Sequence, residues 1–209
     1  MAFTSLYFLI FVAAVTGCYY AVPQKSRWIV LLAASYVFYL ISSPKTFIFI
    51  LFTTVVTFFG GRYIGRLNTE HKEYLEAHKS ELSRDDKKEL KAAVKKRKRK
   101  MVFLVLLADF GVLAALKYFR YYIEILAQAY GGVGVLIPLG ISFYTFQSAA
   151  YIIDLYRSKI EADSSLPRFA LFLSFFPQIV QGPIARYDQL AGQLYEGHRF
   201  SYTDFTHGM

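Results

Sequence analysis

Two stretches of this chain place polar side chains where their surroundings are apolar. In Val135–Tyr156, read as a helix at about 100° per residue, Tyr144, Gln147, Tyr151 and Asp154 fall within an arc of about 80°. Ile141, Ala150 and Ile152 lie on the opposite surface. A polar stripe on so greasy a helix must face protein or water, because a bare polar group in hydrocarbon costs roughly several kcal/mol. Two uses fit: orienting a substrate along a passage, or hydrogen bonding between helices. The second stretch, Leu166–Ile184, carries Pro177, Gln178, Gln181, Gly182 and Pro183 inside an apolar run. Proline removes a backbone donor and breaks a helix, and broken backbone at membrane depth survives only beside a cavity or inside protein. That favours a re-entrant element, with an interfacial segment as the alternative.

Asp109 is an ionisable residue about nine positions into a third apolar run, Met101–Tyr122. Lys117 shares its face, but at about 1.5 Å of rise per residue it sits some 12 Å away, too far to pair directly. A hydrogen bond to another helix is therefore expected for Asp109. The four histidines, His71, His78, His198 and His207, lie outside the apolar runs, and none has metal-ligand spacing. No glycine-rich phosphate loop, nucleophile elbow or cysteine–histidine arrangement occurs, so neither a metal nor a cofactor is expected. Cys18 is the only cysteine, which rules out an intrachain disulfide. It follows Val15, Thr16 and Gly17 in the manner of a lipoprotein cleavage box, but no Lys or Arg precedes it.

The elements that must position these groups are membrane helices. Of the 209 residues, 55% are hydrophobic and 18% aromatic. Phe3–Val22, Trp28–Ser43, Thr46–Ile64, Met101–Tyr122 and Val135–Tyr156 approach the roughly 20 residues needed to cross a bilayer. The fold class predicted is all-α: a polytopic transmembrane bundle of about five spans, with the interrupted segment as a sixth element. Residues 1–65 would hold the first three spans, 66–100 a basic loop, and 101–209 the fourth and fifth spans, the broken segment and a terminal loop.

The net charge of +9 sits in one place. Between Arg66 and Lys100 lie 13 of the 24 basic residues against 7 acids, the mark of a cytoplasmic connection. No aromatic residues interleave the basic run Lys95–Lys100, which argues against a nucleic-acid partner. That run would sit against anionic membrane lipids. Alternation then places the N-terminus outside. Ser83 and Asp86 have capping-box spacing, and a surface helix running into the fourth span is expected.

Leu136–Arg157 resembles the "lPlGISFYTFQ…sYxxDxYR" stretch of the membrane-bound O-acyltransferase family, and Phe169–Arg186 resembles its "fxlFxSFFPQxxxGPIxR" stretch. Leu113–Tyr118 is similar to an upstream segment that often begins with Asn, where this chain has Asp109. The likeness is to the bacterial branch that moves acetyl or D-alanyl groups onto alginate, cellulose, peptidoglycan or teichoic acid. It implies a plasma-membrane bundle around a tunnel, an acyl donor from the cytoplasmic side, an extracytoplasmic acyltransferase partner and a polymer acceptor. It also implies a deep histidine that accepts the hydroxyl proton and returns it to the leaving group. His198 and His207 lie in hydrophilic sequence, so that histidine is expected beyond Met209, leaving these residues as an N-terminal part inactive alone. Tyr144, Gln147, Tyr151, Gln178 and Gln181 would then line the tunnel, with Arg186 at its cytoplasmic mouth or on a lipid phosphate. A secondary transporter or flippase subunit would also use broken helices, and a scaffold could recruit a partner through the basic loop.

Overall fold

The computed structural model describes residues 6–79, 83–130, 138–182 and 185–198, with no account of the side chains of 119–130, 180 and 181. Among the described residues the secondary structure is helical throughout. Eight α-helices follow in order: α1 (Leu6–Ala21), α2 (Arg27–Ser42), α3 (Phe47–Ala77), α4 (Arg84–Tyr130), α5 (Ile141–Tyr156), α6 (Leu166–Ser174), α7 (Phe176–Gln181) and α8 (Tyr187–Tyr195).

Two helices are long and apolar enough to cross a membrane, one within Pro44–Ala77 and one within Arg84–Tyr118. The other expected spans are shorter as helices. α1, α2 and α5 have 16 residues each, about 24 Å against a hydrocarbon core of about 30 Å. Leu9, Ile10, Ile41, Ile48, Phe59, Phe103 and Leu107 are each more than half exposed. A water-facing bundle would not spread so much apolar side chain over its exterior.

α4 begins in the basic segment and continues without a break into the apolar one, giving a 47-residue helix. The expected cap is partly present: the Ser83 backbone N–H donates to Asp86 Oδ2 at 3.1 Å. α3 likewise runs on past its apolar part to Ala77. The two helices lie side by side, and α5 fills the angle between them.

α5 is the centre of the bundle. Ile141 and Ile152, expected on a lipid or packing face, are as buried as the polar stripe opposite them. Glycine lets α3 come close. A Cβ at Gly61 would meet the Tyr151 ring at 2.7 Å. α1 lies at the rim, with no buried residue of its own. Its Phe8 and Phe11 pack edge-on against Phe176 of α7, while Phe8 also meets Phe38 of α2.

Proline suits the first turn of a helix, yet Pro138 stands outside α5. Gly140 adopts a left-handed conformation with φ +68°, which no helical turn can include, so the helix opens at Ile141. Gly131, Gly132 and Gly134, a turn signal in the sequence, lie outside the described residues.

Candidate functional site

The interruption between α6 and α7 is where the two polar stretches meet. In an unbroken helix the Phe172 carbonyl would accept from the Phe176 N–H, four residues on. Here Phe175 turns out of the helix (φ −54°, ψ 110°), and that bond is divided between two neighbouring helices. Gln147 of α5 donates through Nε2 to the Phe172 carbonyl at 3.1 Å. The Phe176 N–H donates to Ser35 Oγ of α2 at 3.2 Å, and Ser35 passes its own proton to the Leu31 carbonyl at 2.7 Å. Pro177 has no N–H, so the next rung of the helix is missing as well. Both halves of the severed bond are therefore satisfied by side chains, as a break enclosed in apolar surroundings requires.

Gln147→Leu is accordingly expected to destabilise the bundle by roughly 1–3 kcal/mol, the cost of a buried carbonyl left without a donor. Ser35→Ala should cost a similar amount at the Phe176 N–H. Thermal unfolding in detergent micelles measures both, and unchanged transitions would show that water supplies the missing partners.

A second cluster joins α3, α4 and α5. Asp109, 1% exposed, accepts through Oδ2 from Thr57 Oγ1 at 3.0 Å and from Ser148 Oγ. The Thr57 and Ser148 hydroxyls are also within hydrogen-bond distance of each other, at 2.6 Å. Asp109 thus bonds across helices, as expected, while Lys117 turns to Ser142 Oγ at 3.5 Å. The other carboxyl oxygen, Oδ1, is buried and has no partner among the described residues.

The predicted stripe residues are brought together on one buried face, with different partners. The Tyr144 hydroxyl is buried beside that of Tyr39. Tyr39 donates to the Leu139 carbonyl at 3.1 Å. Tyr151 accepts through its hydroxyl from the Asp163 backbone N–H at 3.0 Å. Asp154 is 8% exposed. Gln178 is half-buried on α7, where its backbone N–H bonds the Phe175 carbonyl. The Gln181 side chain lies outside the described residues, as do Pro183 and His207. Arg186 is exposed and caps the start of α8. His198 is exposed too, its Nε2 against the Gln193 carbonyl at 2.9 Å, so it does not enter the bundle. The two described cavities take their lining from elsewhere, one between α1 and α2 and one beside the basic part of α3 and α4.

Sequence reasoning missed a third cluster. Asp163, in the turn between α5 and α6, is 8% exposed and accepts through Oδ2 from the Tyr187 hydroxyl at 2.8 Å and the Tyr195 hydroxyl at 2.9 Å. Its Oδ1 accepts from the Ser165 N–H at 2.9 Å. Burial first, then the bond to Asp163, pushes Tyr187 above the ordinary tyrosine range. Burial, then repulsion from Tyr187 and Asp163, does the same to Tyr195. Both stay protonated donors. Beside them the Arg168 guanidinium lies between the rings of Trp28 and Tyr195, 5.6 Å from each centre. The signal available was weak: an acid two residues before Ser165, with tyrosines eight apart.

No protein-family model matches the chain, and no solved structure matches it. Curated relatives do. A probable alginate O-acetylase of Pseudomonas aeruginosa is 30% identical over 98% of this chain and 36% of its own length. Its counterpart in Azotobacter vinelandii is 30% identical over 92% of this chain and 36% of that protein. A peptidoglycan O-acetyltransferase of Helicobacter pylori is 29% identical over 46% of this chain and 24% of the relative. The chain spans about a third of the length of the alginate relatives it matches.

Proposed function

From the premise that this chain belongs to the membrane-bound O-acyltransferase family, we propose that it is part of an enzyme moving an acyl group, acetyl or D-alanyl, to hydroxyls of an extracytoplasmic polysaccharide or cell-wall polymer. One observation carries the reading: the likeness to alginate O-acetylases runs through 98% of the chain, and so through both polar motifs. The shares of about a third support reading the chain as one portion of a longer protein.

In this reading the protein is a multi-pass protein of the plasma membrane. Its basic segment, with 13 of 24 Lys and Arg residues, faces the cytoplasm. The donor arrives from that side, and an extracytoplasmic partner completes the modification. The residues of α5 and α7 shape the passage: Tyr144, Gln147, Tyr151, Gln178 and Gln181 along its wall, with Arg186 at its mouth. In this reading their part is to position and to exclude water. The acid–base work falls to a histidine elsewhere in the protein, near neutral pKa and able to carry a proton both ways.

The full-length protein, supplied to a Pseudomonas aeruginosa strain without its own alginate O-acetylase, is expected to restore ester-linked acyl groups to the secreted polymer. Mass spectrometry of the released acids tells acetyl from D-alanyl. Unmodified polymer from cells whose membranes contain the folded protein would overturn the proposal for this acceptor.

A further inference from the structure

An open groove of about 1780 Å³ lies between the charged ends of α3 and α4 and the turn that follows α5. Three features of it point to one kind of occupant. The first is the set of cations on the groove-facing side of α4. Lys91, Val94, Lys95 and Lys98 all line the groove and, at about 100° per residue, share an arc of about 100°. Arg62 and Lys72 of α3 and Arg157 of the turn also line it, with Arg62 donating to the Ser164 carbonyl at 3.0 Å. The acids Glu73, Glu76 and Glu161 also line it, fewer than the cations.

The second feature is preorganisation of the floor. Lys98 Nζ donates to Asn68 Oδ1 at 2.8 Å and to the Tyr156 carbonyl at 3.2 Å, so it neutralises the carbonyl end of α5. Asn68 donates onward to the Leu155 carbonyl at 2.9 Å. Ser158, a non-glycine residue at φ 54°, is held in that left-handed conformation with its hydroxyl on Asn68 Oδ1 at 3.1 Å. A residue forced there is a stored cost, and the network around Lys98 holds it.

The third feature is the apolar rim. Phe58, Phe59, Tyr63 and Leu166 close the membrane end of the groove. Phe59 is 61% exposed and Tyr63 42%, so the rim offers aromatic surface to a neighbouring chain. The occupant must therefore present an anion to the cations and a hydrocarbon chain to the aromatic rim. Its space also exceeds the roughly 300–1,000 Å³ that encloses a small soluble ligand.

We propose that this groove is a binding site for an anionic phospholipid of the adjacent leaflet. The phosphate lies among Lys91, Lys95 and Arg157, and an acyl chain runs over Phe59 and Tyr63. The site differs from a general attraction of basic residues to a charged surface, which would treat all faces of α4 alike. It rests on the membrane reading alone, so failed polymer acylation would leave it standing.

The test places the purified chain in nanodiscs of equimolar phosphatidylcholine and phosphatidylglycerol, then counts lipids retained after release into detergent by native mass spectrometry. Phosphatidylglycerol should be retained in preference to phosphatidylcholine. The variant K91Q/K95Q/R157Q, altered at exposed positions, should lose that retention tenfold or more. The variant K96Q/R97Q/K100Q removes the same charge from the far face of the same helix, and it should retain the lipid as the parent does. Equal loss in both variants, or loss in neither, would refute a defined site. Displacement of the lipid by excess inorganic phosphate would also refute it, because the pocket would then be reading a free anion without its chain.

Discussion

Asp163→Ala should release α8 from the bundle. The carboxyl holds three donors at once: two tyrosine hydroxyls from α8 and one backbone N–H at the entry to α6. Bonds to a charged acceptor contribute roughly 1.5–3 kcal/mol each, and because these share one group they do not simply add. A loss of about 4 kcal/mol is expected, with two half-buried tyrosine hydroxyls left to find other acceptors. Trp28 is the only tryptophan in the chain, and it lies against Arg168, which also stacks on Tyr195. Its fluorescence therefore reports the detachment directly. In Asp163→Ala the Trp28 transition should come at lower temperature than the loss of helix, whereas in the parent the two should coincide. Coincident, unshifted transitions in the variant would show that the clamp holds nothing.

The same clamp gives a pH signature with a definite sign. Tyr187 and Tyr195 are pushed above the ordinary tyrosine value in the folded protein. The unfolded chain ionises first, near pH 10. Their contribution is thus present in full below about pH 10 and is lost as pH rises further. Tyr187→Phe with Tyr195→Phe should flatten that alkaline loss while lowering stability at neutral pH.

What could be read from the sequence was what local pattern controls. The joined α4 was legible because capping residues, a run of good helix formers and an apolar run follow one another without a breaker. The break before Pro177 was legible because proline has no N–H to give. The partners of the break were not. Ser35 stands 141 positions from Phe176, and a lone serine in an apolar helix can serve its own i−4 carbonyl as well as a neighbour. The stripe on α5 was read at Gln147 but not at Ser148, which lies about 40° outside the other edge of the arc. Gln147 and Ser148 stand about 100° apart round the helix, and that decides which helix each meets: Gln147 reaches α6, and Ser148 reaches Asp109 of α4. Asp163 escaped notice because it sits in a polar turn, where an acid ordinarily meets water. Only the fold brings two tyrosines over it.

Helix length shows the opposite limit. Hydropathy marks where hydrocarbon is tolerated, whereas a helix ends where backbone geometry ends it. The apolar run at Val135 starts six residues before α5, which Gly140 holds back to Ile141.

Gly140 is therefore the residue whose change should have the largest effect. At φ +68° an alanine pays the left-handed penalty, roughly 1–2 kcal/mol. The greater cost is collision. A Cβ there would stand 2.3 Å from the Ile179 carbonyl oxygen and 3.2 Å from its carbon. That oxygen belongs to the backbone of α7, so no rotamer change can move it aside. Either α7 withdraws or the turn into α5 refolds, and the second choice removes the Leu139 carbonyl from Tyr39. Gly140→Ala should thus lower the unfolding temperature of the membrane bundle and abolish the acylation proposed for the full-length protein. The controls are internal. A Cβ at Gly111 of α4 or Gly192 of α8 meets nothing within 4 Å. Alanine at either should be neutral or stabilising by up to about 1 kcal/mol, since alanine is the better helix former. If Gly140→Ala behaved like these two, the approach of α7 to the head of α5 would not be holding the two motifs in register. The passage proposed between them would then need a different wall.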